Sequence, residues 1–84
     1  MSAVIVPFPL ARRRAFVVKQ ANSMAIREDG AAERYLVDAL ERQFTTLTRK
    51  GVSEATAARE VRALETAIRV ELARMTAAPK GTAA

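Results

Sequence analysis

The chain has 84 residues, a formal net charge of +5 and an apolar content of 50%, enough for one small domain with a thin core. It contains no cysteine and no histidine. Disulfides and thiolate metal sites are therefore excluded, and the commonest general base and transition-metal ligand are missing.

Alanine, arginine, glutamate and leucine dominate, a helix-favouring mixture. No run approaches the roughly 18 apolar residues of a membrane span. The charge is unevenly placed. Residues 1–27 carry Arg12, Arg13, Arg14, Lys19 and Arg27 without an acid, whereas residues 28–78 set eight basic against nine acidic residues. The basic character belongs to the N-terminal third. A solvated face that aids solubility would account for it, and so would a patch that attracts an anionic partner.

Residues 1–8 are predicted to form an extended apolar arm. Val4, Ile5, Val6 and Phe8 supply it, and Pro7 and Pro9 push the residues before them toward β or polyproline geometry. This apolar stretch is short and precedes the positive charges, the reverse of a secretory signal. The first helix is predicted over about 9–28, with Pro9 at its opening, where a missing N–H costs nothing. Leu10, Val17, Val18, Ala21, Met24 and Ala25 share one face at 100° per residue, while Phe16 and Ile26 fall off it. Such a helix is apolar on more than one side. Arg12, Arg13 and Arg14 fall in its first turns, where cations oppose the helix dipole. The sequence therefore calls for acids facing them, from the bundle or from outside. Asp29-Gly30 reads as the stop, with Gly30 free to adopt the left-handed conformation.

The second helix is predicted over about 31–50. Its stripe is Leu36, Leu40, Phe44 and Leu47, with Ala32, Ala39 and Gln43 at the margin. Arg49 and Lys50 suit its C-terminal end, and Gly51 closes it. The third helix is predicted over about 53–77. Ser53 is a suitable N-cap, and Ala57, Val61, Leu64, Ile68, Leu72 and Met75 recur at steps of three and four. Arg59, Arg62 and Arg69 lie on the opposite face, with Glu65 able to pair along it. Residues 78–84 are predicted to be a disordered tail. Short connections place successive helices side by side. The expected fold is all-α, an up-down-up three-helix bundle whose long second and third helices make an αα-hairpin rather than a DNA-reading helix-turn-helix.

Catalytic chemistry has little to work with. Glu28, Asp29 and Glu33 cluster where they favour the start of the second helix. Ser23 and Ser53 have no histidine to activate them, and Lys19 has no visible desolvating pocket. Neither a phosphate loop nor a calcium-loop spacing is present. The expectation is a protein that is not an enzyme and has no cofactor, metal or small-molecule substrate.

Val6-Pro7-Phe8-Pro9 followed by Arg12-Arg13, then Ala32-Glu33-Arg34-Tyr35-Leu36, Gly51 and Glu60-Val61-Arg62-Ala63-Leu64-Glu65 carry a resemblance over about residues 4 to 75. The chain resembles a family of short proteins of unknown function from rhizobia and related alphaproteobacteria, which open with an Ile/Val-Pro-Phe-Pro-x-x-x-Arg-Arg signature and continue as helices. The resemblance implies a bacterial, cytoplasmic helical protein and brings no catalytic or binding residues with it.

The leading functional expectation is an interaction module that binds itself or a larger protein through the arm and first helix, with Val6, Phe8, Phe16 and Ile26 as contact residues. The motive is a surplus of apolar residues in a chain too small to bury them all. The alternative is weakly specific nucleic-acid binding through Arg12, Arg13, Arg14, Lys19 and Arg27, near a helix start. Against it stand the lack of aromatic stacking partners and of a reading helix. A membrane-surface helix ranks last, because the first segment is poorly amphipathic.

Overall fold

The computed structural model describes residues 9–77. The arm expected at 1–8 and the tail expected at 78–84 lie outside the described residues. A 3₁₀ turn, Leu10–Arg12, is followed by helices α1, Arg14–Ala25, α2, Asp29–Arg49, and α3, Glu54–Ala77. The described chain is a three-helix bundle without strands.

Helix α3 is the spine. Its predicted stripe is the one that packs: Ala57, Leu64 and Ile68 are fully buried, and Val61, Leu72 and Met75 border them. Ser53 caps it as expected, its Oγ accepting the Thr56 N–H at 3.2 Å. Helix α2 contributes Ala32, Leu36, Ala39 and Leu47 to the core, and α1 contributes Val17, Ala21 and Met24. Leu10 and Val52, one from the 3₁₀ turn and one from the connection after α2, complete it. Each fully buried leucine, isoleucine or valine contributes about 1.5–3 kcal/mol of transfer free energy.

The α2–α3 pair is an antiparallel hairpin. At its closed end the Val52 N–H donates to the Leu47 carbonyl at 3.0 Å. At its open end Arg69 of α3 reaches Glu33 in the second turn of α2. Gly51 makes the reversal possible with φ of 100°, a conformation that favours a residue without Cβ.

The first helix departs from expectation at both ends. Pro9 stands outside it with ψ of 121°, and Arg13, with ψ of 82°, breaks the backbone between the 3₁₀ turn and α1. The expected helix of about 9–28 is thus a short turn plus 12 residues. The cause is a tether: the Leu10 N–H donates to Glu60 Oε1 of α3 at 3.1 Å, which holds the turn against the spine before α1 sets off. At the other end α1 stops at Ala25. Asp29-Gly30 is not its stop signal; both residues are the first turn of α2, following Glu28 in extended geometry. An acidic first turn suits the positive end of the dipole, and that preference outweighs glycine's taste for a helix end. Two side chains also sit differently. Phe16 is half-buried against the core rather than off it. Ala25, expected on the core face, is exposed where the chain leaves α1.

Gly30 and Gly51 give a direct check. Gly30→Ala meets only Arg34 Nη1 at 3.8 Å, an ordinary contact in a helical turn, and should stabilise by about 0.5 kcal/mol. Gly51→Ala forces a left-handed alanine and should cost about 1 kcal/mol or more. Urea denaturation midpoints of the two variants should move in opposite directions.

Candidate functional site

The basic N-terminal segment poses an electrostatic problem, and α3 answers part of it. Helix α1 starts at Arg14, has no acid in its first turn and receives no side-chain cap from Arg13. Cations there face the positive end of the dipole. Glu71 of α3 supplies the counter-charge. Its Oε1 accepts from Arg14 Nη2 and from Arg74 Nη1, each at 2.8 Å. The Glu71 side chain is 11% exposed against 59% for Arg14. The acid is fixed by packing and the arginine folds down onto it. The Arg14 hydrogen bond, helped by the charge of Arg74, holds the Glu71 carboxyl below its ordinary value near 4.5.

The other basic residues named from the sequence, Arg12, Arg13, Lys19 and Arg27, are all exposed. The Arg27 guanidinium lies 4.3 Å from the centre of the Tyr35 ring and donates to the Ser23 carbonyl. Its face is therefore spent inside the protein, in a cation–π contact worth about 0.5–1 kcal/mol. Tyr35 in turn donates its O–H to Gln20 Oε1 at 2.7 Å, which satisfies a glutamine that is only 4% exposed. Arg14 and Lys19 flank one shallow hollow on α1 with Ala15, Val18, Asn22 and Ser23; Arg27 lies beyond it, past the end of the helix. Of the predicted contact residues, Ile26 is 81% exposed, Phe16 is turned to the core, and Val6 and Phe8 lie outside the described residues.

A second surface was not singled out from the sequence. In a three-helix bundle the third helix fills one side of a hairpin and leaves the other open. On α3, Glu60 and Glu71 face the 3₁₀ turn and α1. Ala58, Val61, Arg62 and Glu65 lie round the helix on the other side, at 100° per residue. On α2, Tyr35 faces α1 while Leu40, Glu41, Phe44 and Thr45 point away from it. These two sets line one groove of about 480 Å³. Its floor is apolar, made by half-buried Leu40, Phe44, Ala58 and Val61, of which Leu40, Phe44 and Val61 pack against the core. Toward the open end of the hairpin the groove is bridged. Arg69 donates to both oxygens of Glu33 at 2.8 and 3.0 Å and to Glu65 at 3.0 Å. The Arg69 hydrogen bonds lower the Glu33 pKa.

Periodicity contained the floor of the groove, since Leu40, Phe44 and Val61 belong to the predicted stripes. It could not say that the stripes are wider than the neighbouring helices cover. The roles of Glu60 and Glu71 were beyond it as well, because they depend on residues 50 and 57 positions away in the chain.

Glu71 and Glu33 both bind a proton less readily in the folded state than in the unfolded one. The stability they give is present above about pH 4.5 and is lost as pH falls through their lowered folded values. Unfolding midpoints in urea should therefore fall on acidification through that range. Glu71→Gln should flatten this acid limb while lowering stability at pH 7. An acid limb unchanged by the substitution would remove the assigned role of the Arg14–Glu71–Arg74 cluster.

Among the described residues no helix is long and apolar enough to cross a membrane. No curated protein and no solved structure matches the chain. A family model does, over residues 1–83, and the chain accordingly belongs to the family of unknown function DUF6074.

Proposed function

We propose that this protein is a non-enzymatic helical interaction module that acts through protein–protein contact, in the bacterial cytoplasmic setting that its resemblance implies. One observation carries the reading. The groove between α2 and α3 has an apolar floor of Leu40, Phe44, Ala58 and Val61 open to solvent, with charges on both rims. An apolar groove between two helices is the shape that receives a further helix. Ile26, at the turn between α1 and α2, is a separate exposed apolar residue in the region first expected to make the contact. The disposition of the acids supports a role without catalysis: Glu33, Glu65 and Glu71 are each engaged by arginines and serve the fold.

A photo-crosslinking residue at Thr45, on the groove, and another at Asn22, on the outer face of α1, test this in the native host. Protein adducts should form from Thr45, disappear when Val61→Glu is added, and be absent from Asn22. Absence of any Thr45 adduct would overturn the reading.

A second reading is weakly specific nucleic-acid binding through the basic N-terminal third, where Arg12, Arg13, Arg14, Lys19 and Arg27 are all exposed. Three phosphate contacts on duplex DNA would make affinity fall about 40-fold between 50 and 200 mM salt. Fluorescence anisotropy with a labelled duplex measures this. The combined Arg12→Ala, Arg13→Ala and Lys19→Ala variant should abolish the binding, and no binding at 20 mM salt would dismiss it.

A further inference from the structure

The rims of the groove say what sort of partner suits it. Glu41 stands on the α2 rim and Arg62 on the α3 rim. Both are exposed, and neither makes an ion pair with another described residue. They also stand at the same height. Glu33 pairs across the hairpin with Arg69. Eight residues further along α2 and seven back along α3 lead to Glu41 and Arg62, shifts of about 12 and 11 Å along antiparallel axes.

This arrangement is self-complementary. Two copies can face each other about a two-fold axis that runs parallel to the helices. In that case α2 of one copy lies over α3 of the other, at unchanged height. Glu41 of each copy then meets Arg62 of its mate, and the contact occurs twice. Between the two pairs the apolar floors oppose each other, Leu40 and Phe44 of one copy over Ala58 and Val61 of the other. A two-fold axis running across the helices would instead stack α2 on α2 and α3 on α3, which places neither charge opposite its complement.

We infer that the α2–α3 groove is the interface of a symmetric homodimer, a four-helix layer closed by two reciprocal Glu41–Arg62 ion pairs. The inference rests on the reading of the groove as a protein-contact surface, and it names the partner as a second copy of the same chain. Isologous pairing of this kind makes one surface patch serve both sides. The opposite charges set the register, which is what rim charges chiefly do.

Sedimentation equilibrium of the full chain tests it. The wild type should dimerise. Glu41→Arg alone and Arg62→Glu alone should each weaken association about tenfold or more, because both symmetric contacts turn from attraction to repulsion. The double variant should restore it to within about threefold, since the two reversals compensate each other. All of these changes lie on the exposed rim, so circular dichroism should show the same helicity throughout. The absence of cysteine permits a geometric check. When Glu41→Cys and Arg62→Cys chains are mixed and oxidised, the mixed disulfide should form in preference to either like pair.

A chain that stays monomeric at millimolar concentration would overturn the inference. So would a dimer indifferent to single reversals, or one that yields chiefly like-with-like disulfides. A monomer that still gives Thr45 adducts with a different protein would sink the homodimer alone. Loss of those adducts as well would sink the broader reading with it.

Discussion

A helix that opens on arginine has to find negative charge elsewhere in the molecule, and that constraint shapes the bundle. The segment Arg12–Arg14 carries three cations into the start of α1, at the positive end of a helix dipole. Two carboxylates on one side of α3 answer part of this conflict. Glu60 takes the Leu10 N–H, and Glu71 takes Arg14 together with Arg74. The spacing of 11 residues between the two acids is three turns of helix, so both face the same neighbour. Between them they fix where the 3₁₀ turn lies, where α1 begins and which side of α3 it covers. The side that remains is the groove.

The elements with strong local signals were legible in the sequence. Ser53 and the stripe Ala57 to Met75 describe α3 almost to the residue, because the cap and the periodicity are both local properties. Gly51 as the end of α2 was legible for the same reason. The boundary between α1 and α2 was not. Asp29-Gly30 contains two opposed signals, an acid suited to a helix start and a glycine suited to a helix end, and in the structure the acid prevails. The break at Arg13 depends on Glu60, about 50 residues away, which no local rule could see.

The side chains of the functional surfaces divide in the same way. Five basic residues could be listed from the sequence, but Arg14 and Arg27 prove to be internal ties, one to Glu71 and one to Tyr35. Tyr35 belongs to the motif Ala32-Glu33-Arg34-Tyr35-Leu36, which assigns it no role. It is the link that satisfies buried Gln20 and seats Arg27. An arginine count is therefore a poor measure of an anion-binding surface in a small protein, since a basic segment uses its own cations to dock.

The two ends of the α2–α3 groove show why one part of a helix pair becomes structure while another becomes surface. Near the open end of the hairpin Arg69 spans from α3 to Glu33 and also holds Glu65. The charges there are spent within the chain, and a partner would have to break them. Two turns toward the closed end the rim charges are again opposite in sign, yet Glu41 and Arg62 stay apart, with Leu40, Phe44 and Val61 between them. Apolar surface bordered by opposite, unspent charges costs the isolated chain some hydration without return. The cost is recovered when a second surface brings the complementary charges at the same spacing, and the patch itself already has that spacing.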